Sequence, residues 1–224
     1  QDENELNQNE NTVGITPTVE LQLSDYQTMY DRLYEVAESV EPSMVTVTGM
    51  SSDVDWFNNT LESENETTGF IIADNGKELL ILAERRFIAN ATEIKVTFTD
   101  GVRVPATIKK YDKNTDLAIL AVDMSLLSLS TREAITYAKL GSSISGNKTG
   151  DLVIAVGSPL GYEDSLCYGN ITSMGNEINE VDINYKLITT DIYGSSNASG
   201  ALLNARGQII GIINQSYNSK DLSN

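Results

Sequence analysis

The chain has 224 residues with 15 basic and 32 acidic side chains, a formal charge of −17, which repels phosphate backbones and anionic headgroups and so argues against nucleic-acid and membrane-surface partners. Apolar residues make up 40% and aromatics only 7%, so a sizeable core exists and Val, Ile and Leu must fill it. A single cysteine, Cys167, excludes an internally disulfide-stapled scaffold, and no apolar run approaches the ~18 residues that cross a bilayer.

Residues 1–18 are almost entirely Gln, Asn, Asp, Glu and Thr. Such a segment cannot bury enough apolar surface to offset its ordering entropy, and a disordered acidic linker is expected over 1–22. A helix is expected over 23–42: Ser24 is placed to cap it, Tyr26, Met29, Tyr30, Leu33, Val36 and Ala37 recur at helical spacing, and Pro42 ends it.

From Met44 the period changes to that of short strands. Val45–Thr48, Thr68–Ala73, Leu79–Ala83, Glu93–Phe98, Arg103–Tyr111 and Asp116–Val122 form a first set over 43–123, with Asn75-Gly76 and Asp100-Gly101 as hairpin dipeptides. Asp53–Glu66, polar and acidic around Trp56 and Phe57, reads as a long exposed loop. Residues 124–146 read as a connection. A second set over 147–218 runs through Leu152–Val156, Leu166–Met174, Tyr185–Thr189, Ala201–Asn204 and Gln208–Asn214, and 219–224 is a tail. Two groups of short strands with almost no helix between them favour an all-β pair of barrels over a βαβ sheet.

Four segments carry the functional reading. They are Leu80-Ile81-Leu82-Ala83-Glu84-Arg85-Arg86-Phe87-Ile88, Asn114-Thr115-Asp116-Leu117-Ala118-Ile119-Leu120, the run from Gly150 to Gly161, and Ser196-Asn197-Ala198-Ser199-Gly200-Ala201-Leu202-Leu203-Asn204 continuing through Gly207 to Ile212. In type, order and spacing they resemble the HtrA/Deg branch of trypsin-like serine proteases, over about residues 40–216. The resemblance implies two six-stranded antiparallel Greek-key barrels with one N-terminal helix.

Carried over position by position, the family's aspartate falls on Asp116, its histidine on Arg86 and its nucleophilic serine on Ala198. The oxyanion-hole positions fall on Ser196 and Ala198. A triad needs a group that takes the hydroxyl proton and returns it to the leaving amine. Histidine titrates near neutrality and arginine does not, and alanine has no nucleophilic atom. The expectation is therefore a catalytically inactive pseudoprotease, not an enzyme, with an Arg86–Asp116 ion pair in the old site. A serine deliberately exchanged for alanine would account for Ala198 alone, not for Arg86, Ser196 and the absence of histidine. Ser199 paired with a lysine base such as Lys186 is the conceivable rescue.

The first functional reading is a peptide- or protein-binding, regulatory module whose groove, with its edge at Gly211, Ile212, Ile213 and Asn214, takes an extended segment by strand addition. The alternative is a serine endopeptidase of the HtrA/Deg type. A third reading is a structural domain whose groove is filled by its own residues 53–66. The resemblance implies an extracytoplasmic, membrane-anchored position at the cell surface, with a PDZ domain elsewhere in the full-length protein, and it leaves oligomers open. No cofactor and no metal are expected: Glu62, Glu64 and Glu66 lack calcium-loop spacing. Cys167, in an apolar strand, reads as a core residue and not a nucleophile.

Overall fold

The computed structural model describes residues 20–54, 60–179 and 184–214. Most of the expected linker, the tail at 219–224, and Trp56 and Phe57 lie outside them. Helix α1 (Leu23–Glu38) begins at Gln22, whose backbone N–H donates to the Asp25 carboxylate at 2.8 Å. The cap is therefore Gln22, not Ser24. Of the expected apolar stripe, Leu33 and Ala37 are buried, while Tyr26, Met29 and Tyr30 remain about half exposed.

Strands β1 (Met44–Val54), β2 (Thr60–Asp74), β3 (Glu78–Glu84), β4 (Glu93–Thr97), β5 (Arg103–Asp112) and β6 (Leu117–Asp123) close a barrel in the order β1-β2-β3-β6-β5-β4. Period-two patterning drives the closure. In β3, Leu79, Ile81 and Ala83 face inward among Val47, Val96 and Leu120. The expected exposed loop over Asp53–Glu66 is corrected: β1 and β2 pair without a break from Met44↔Phe70 out to Val54↔Thr60. Ladder hydrogen bonds hold Ser63–Glu66, whose side chains are exposed.

A short helix, α2 (Leu129–Ala134), leads to β7 (Leu152–Ser158), β8 (Ser165–Asn179), β9 (Asn184–Thr190), β10 (Ser199–Asn204) and β11 (Ile209–Ile212). Among the described residues these form an open five-stranded antiparallel sheet, ordered β11-β10-β7-β8-β9, where the resemblance implies six strands. The architecture is all-β with one N-terminal helix of any length. No helix among the described residues is long and apolar enough to cross a membrane.

Phe70 of β2, fully buried, packs with Ile154, Val156 and Leu203 of the second sheet and with Leu33 and Ala37 of α1. A side chain buried to that degree contributes roughly 1.5–3 kcal/mol. It holds the two strand units together and seats α1 against them.

Candidate functional site

Glu84 closes β3 and breaks its alternation: Ala83 points into the core, yet Glu84 is itself only 1% exposed. The chain then turns through one 3-10 turn, Arg85–Phe87. Asp116, in the left-handed region at φ 55°, lies opposite that turn. Its carbonyl accepts from Arg85 N–H at 2.7 Å, and its Oδ2 accepts from Arg86 N–H at 3.3 Å. Asp116 thus orients the turn through the backbone.

The guanidinium groups divide otherwise than expected. Arg85 Nη1 lies 3.6 Å from Asp116 Oδ1, and its guanidinium stacks over the Tyr111 ring. Arg86 Nε lies 2.6 Å from Glu84 Oε1, and Arg86 Nη2 donates across to the Ala198 carbonyl at 3.2 Å. The expected Arg86–Asp116 ion pair is corrected to Arg86–Glu84 and Arg85–Asp116. Asp116 sits at the backbone of Arg86, so an extended arginine carries its charge past the point where a short imidazole would meet that carboxylate.

Burial pushes the Glu84 carboxyl up to about 7, against the opposing pull of Arg86 and with a further push from Asp116. Its carboxylate oxygens and Arg86 Nε are buried and lack aligned hydrogen bonds despite the short contact, so the charge is only partly compensated. A carboxyl titrating near neutrality therefore stands next to the position that the resemblance gives to histidine. Sequence reasoning missed it, because Glu84 reads as an ordinary charged residue at a strand end.

On the other side of the junction Ala198 is fully buried, and its N–H donates to Ser195 O at 3.0 Å. An oxyanion hole needs donors aimed at an open point. Here the Ser195–Ala198 turn uses one of the two, while Ser196 is exposed. Ser199 Oγ accepts from Thr68 N–H at 3.1 Å, tying β10 to β2. Lys186 lies against Glu177, so the structure does not bring a Ser199–Lys186 pair together. Burial pushes the Cys167 thiol up, which makes it a poor nucleophile.

Between the two strand units lies a cavity of about 500 Å³, with Thr46, Thr68, Phe87, Gly157, Asn197 and Ser199 among its lining. Glu64 and Glu66, from the segment expected to be a loop, line it without filling it. Gly211, Ile212, Ile213 and Asn214 do not line it. Gly211 and Ile212 are in β11 at the end of the sheet, and Ile213 N–H donates to Gly200 O. The outer edge of β11 carries one isolated bridge, Leu140↔Ile209, and no further strand among the described residues. Among those residues no group of Asp, Glu, Cys or His could hold a metal ion.

The family described as Trypsin-like peptidase domain matches residues 67–212. The putative serine protease HhoA of Synechocystis sp. is 34% identical over 149 residues, 65% of this chain and 35% of that protein. The mitochondrial serine protease HTRA2 of Drosophila virilis is 30% identical over 207 residues, 88% of this chain and 46% of that protein. A probable periplasmic serine endoprotease, DegP-like, of Pseudomonas putida is 31% identical over 157 residues, 70% and 30% respectively. The chain thus spans less than half the length of these relatives. Among solved structures, the HtrA-type protease AlgW with tripeptide is 27% identical at TM-score 0.59, over 80% of this chain and 53% of that one. A structure of an HtrA-type protease with decapeptide is 22% identical at TM-score 0.62, over 82% and 59%, a likeness of fold. These relatives correct the expectation of a domain that is not an enzyme: they are named as serine proteases and endoproteases, and the fold they share with this chain is a protease fold.

Proposed function

The chain belongs to the trypsin-like peptidases, in their HtrA-type branch, and from that premise we propose that its inter-barrel cleft binds an extended polypeptide segment outside the cytoplasm. The observation that carries this reading is the cavity of about 500 Å³ lined from both strand units. The extracytoplasmic position rests on the DegP-like relatives, named as periplasmic.

Chemistry at this cleft works with the groups present. The sequence contains no histidine, and position 198 offers no hydroxyl. Glu84 ends the strand before the Arg85–Phe87 turn, whose Phe87 lines the cavity, and its carboxyl is pushed up to about 7 by burial, so peptide binding is expected to inflect near that pH.

Asn197 is exposed and lines the cavity, so an indole at that position occupies the space where a peptide would lie. Binding of a labelled decapeptide library, read by fluorescence polarisation, is expected to weaken at least about tenfold in Asn197→Trp. Unchanged binding in that variant sinks the cleft reading. The same samples, followed by mass spectrometry with wild type and Ser199→Ala side by side, show whether the Ser199 hydroxyl takes part in cleavage.

A further inference from the structure

Arg86 reaches across the junction between the two strand units. Its Nη2 donates to the Ala198 carbonyl at 3.2 Å, its Nε lies 2.6 Å from Glu84 Oε1, and its guanidinium lies over the Phe87 ring. Asn197 and Ser199, on either side of Ala198, line the cavity, so this contact bears on one wall of the cleft.

The two ends of the bridge are held unequally. The Glu84 side chain is 1% exposed, whereas that of Arg86 is 29% exposed and has a way out to water. Neither Glu84 oxygen nor Arg86 Nε makes an aligned hydrogen bond, so the contact is mainly charge on charge and weakens when the carboxyl takes up a proton. On the far side, Ala198 N–H closes the Ser195–Ala198 turn on Ser195 O. That turn buries the Ser195 Oγ with no partner among the described residues. An unpaired buried hydroxyl is costly, so the turn gains from opening to water, and the Arg86 bond opposes that. The Ser199–Thr68 hydrogen bond anchors β10 one residue further on.

The charged groups that act on Glu84 are Arg86 from its own turn and Asp116 from the turn between β5 and β6, itself paired with Arg85. Ser195, Ser196, Asn197 and Ala198 carry no titratable side chain. We propose that Arg86 is a latch set by pH: with Glu84 ionised it is held on the Ala198 carbonyl and keeps the Ser195–Ala198 turn closed, and with Glu84 protonated it swings to solvent and the turn opens.

The direction follows from the carboxyl in the two forms. With Arg86 in place, burial holds it at about 7 against the pull of the guanidinium. With Arg86 gone that pull is lost and the carboxyl rises further. The open form therefore takes up a proton more readily than the closed one, and its share grows as pH falls to about 7 and levels off below. Each unit of difference between the forms multiplies that share about tenfold. The fold as a whole gains from the same proton, so acid loosens this turn while it stabilises the molecule.

The latch works with the cleft empty, so it is tested without peptide and its failure leaves the cleft reading intact. A nitroxide is placed on Ser196→Cys, an exposed position in the turn, in a Cys167→Ser background, and electron paramagnetic resonance reads its mobile and immobile populations from pH 9 to pH 6. The mobile-to-immobile ratio is expected to rise at least about tenfold on acidification. In Glu84→Gln and in Arg86→Met, where the attraction is absent at every pH, the ratio is expected to be high and flat. A flat ratio in the parent protein, a low ratio in either variant, or a variant that still follows pH overturns the latch. Thermal unfolding of the same labelled chain separates local opening from loss of the fold: Tm rising toward acid supports the latch, and Tm falling toward acid overturns it.

Discussion

At the residue scale, the turn that holds Arg86 is governed by Glu84. Its carboxyl titrates at about 7 in the folded protein and, once unfolded and hydrated, near the ordinary 4.5. Between those values the folded state holds a proton that the unfolded state has lost. The stabilisation is therefore fully present below about 4.5 and is lost as pH rises through 7. A gap of that size corresponds to a few kcal/mol. Asp100, Asp123 and Asp191 are held low by hydrogen bonds to Thr131, Ser125 and Asn170, so they titrate below this window. Thermal unfolding from pH 5 to 8 is expected to show Tm falling in the wild type and nearly flat in Glu84→Gln. Parallel slopes in the two proteins would exclude Glu84 as the titrating group. That Arg86 meets Asp116 and Ala198 across the junction was legible because motif order survives in sequence. Glu84 was not, because nothing local separates a buried carboxylate at a strand end from a solvated one. Nor was the choice of partner for Arg86, which depends on how far a guanidinium reaches beyond the backbone that Asp116 already holds.

At the scale of elements, strands with a buried face were readable and those without one were not. Leu79, Ile81 and Ala83 announce β3 by alternation. Glu64 and Glu66 do not announce β2, because they are exposed and held by backbone pairing with β1 rather than by burial. The same principle, backbone proximity invisible to side-chain patterning, governs the β7–β10 pair. Gly200 faces Gly157 in that ladder. A methyl at Gly200, at φ 126°, would collide with the Val156 carbonyl oxygen and crowd the Gly157 Cα, and β10 is buried along its whole length, so neither strand can move aside. Gly200→Ala is expected to cost at least about 3 kcal/mol in urea unfolding. By contrast, Gly211→Ala, whose methyl would meet only Leu202 Cβ at 4.0 Å, is expected to cost under about 1 kcal/mol. Similar losses at both positions would show that the close approach of β7 and β10 is not what requires Gly200.

At the scale of the whole molecule, the charge of −17 works against the compact state. The compact state crowds its carboxylates, and those on the two sides of the cleft face one another across a junction held by Phe70, the Ser199–Thr68 hydrogen bond and the Arg86–Ala198 hydrogen bond. Salt shortens the range of that repulsion to about 10 Å at 0.1 M and so favours the folded, closed arrangement over the expanded one. Raising NaCl from 20 to 300 mM is accordingly expected to raise Tm by a few °C. A Tm that stays flat or falls over that range would show that repulsion among the carboxylates does not limit the stability of the fold.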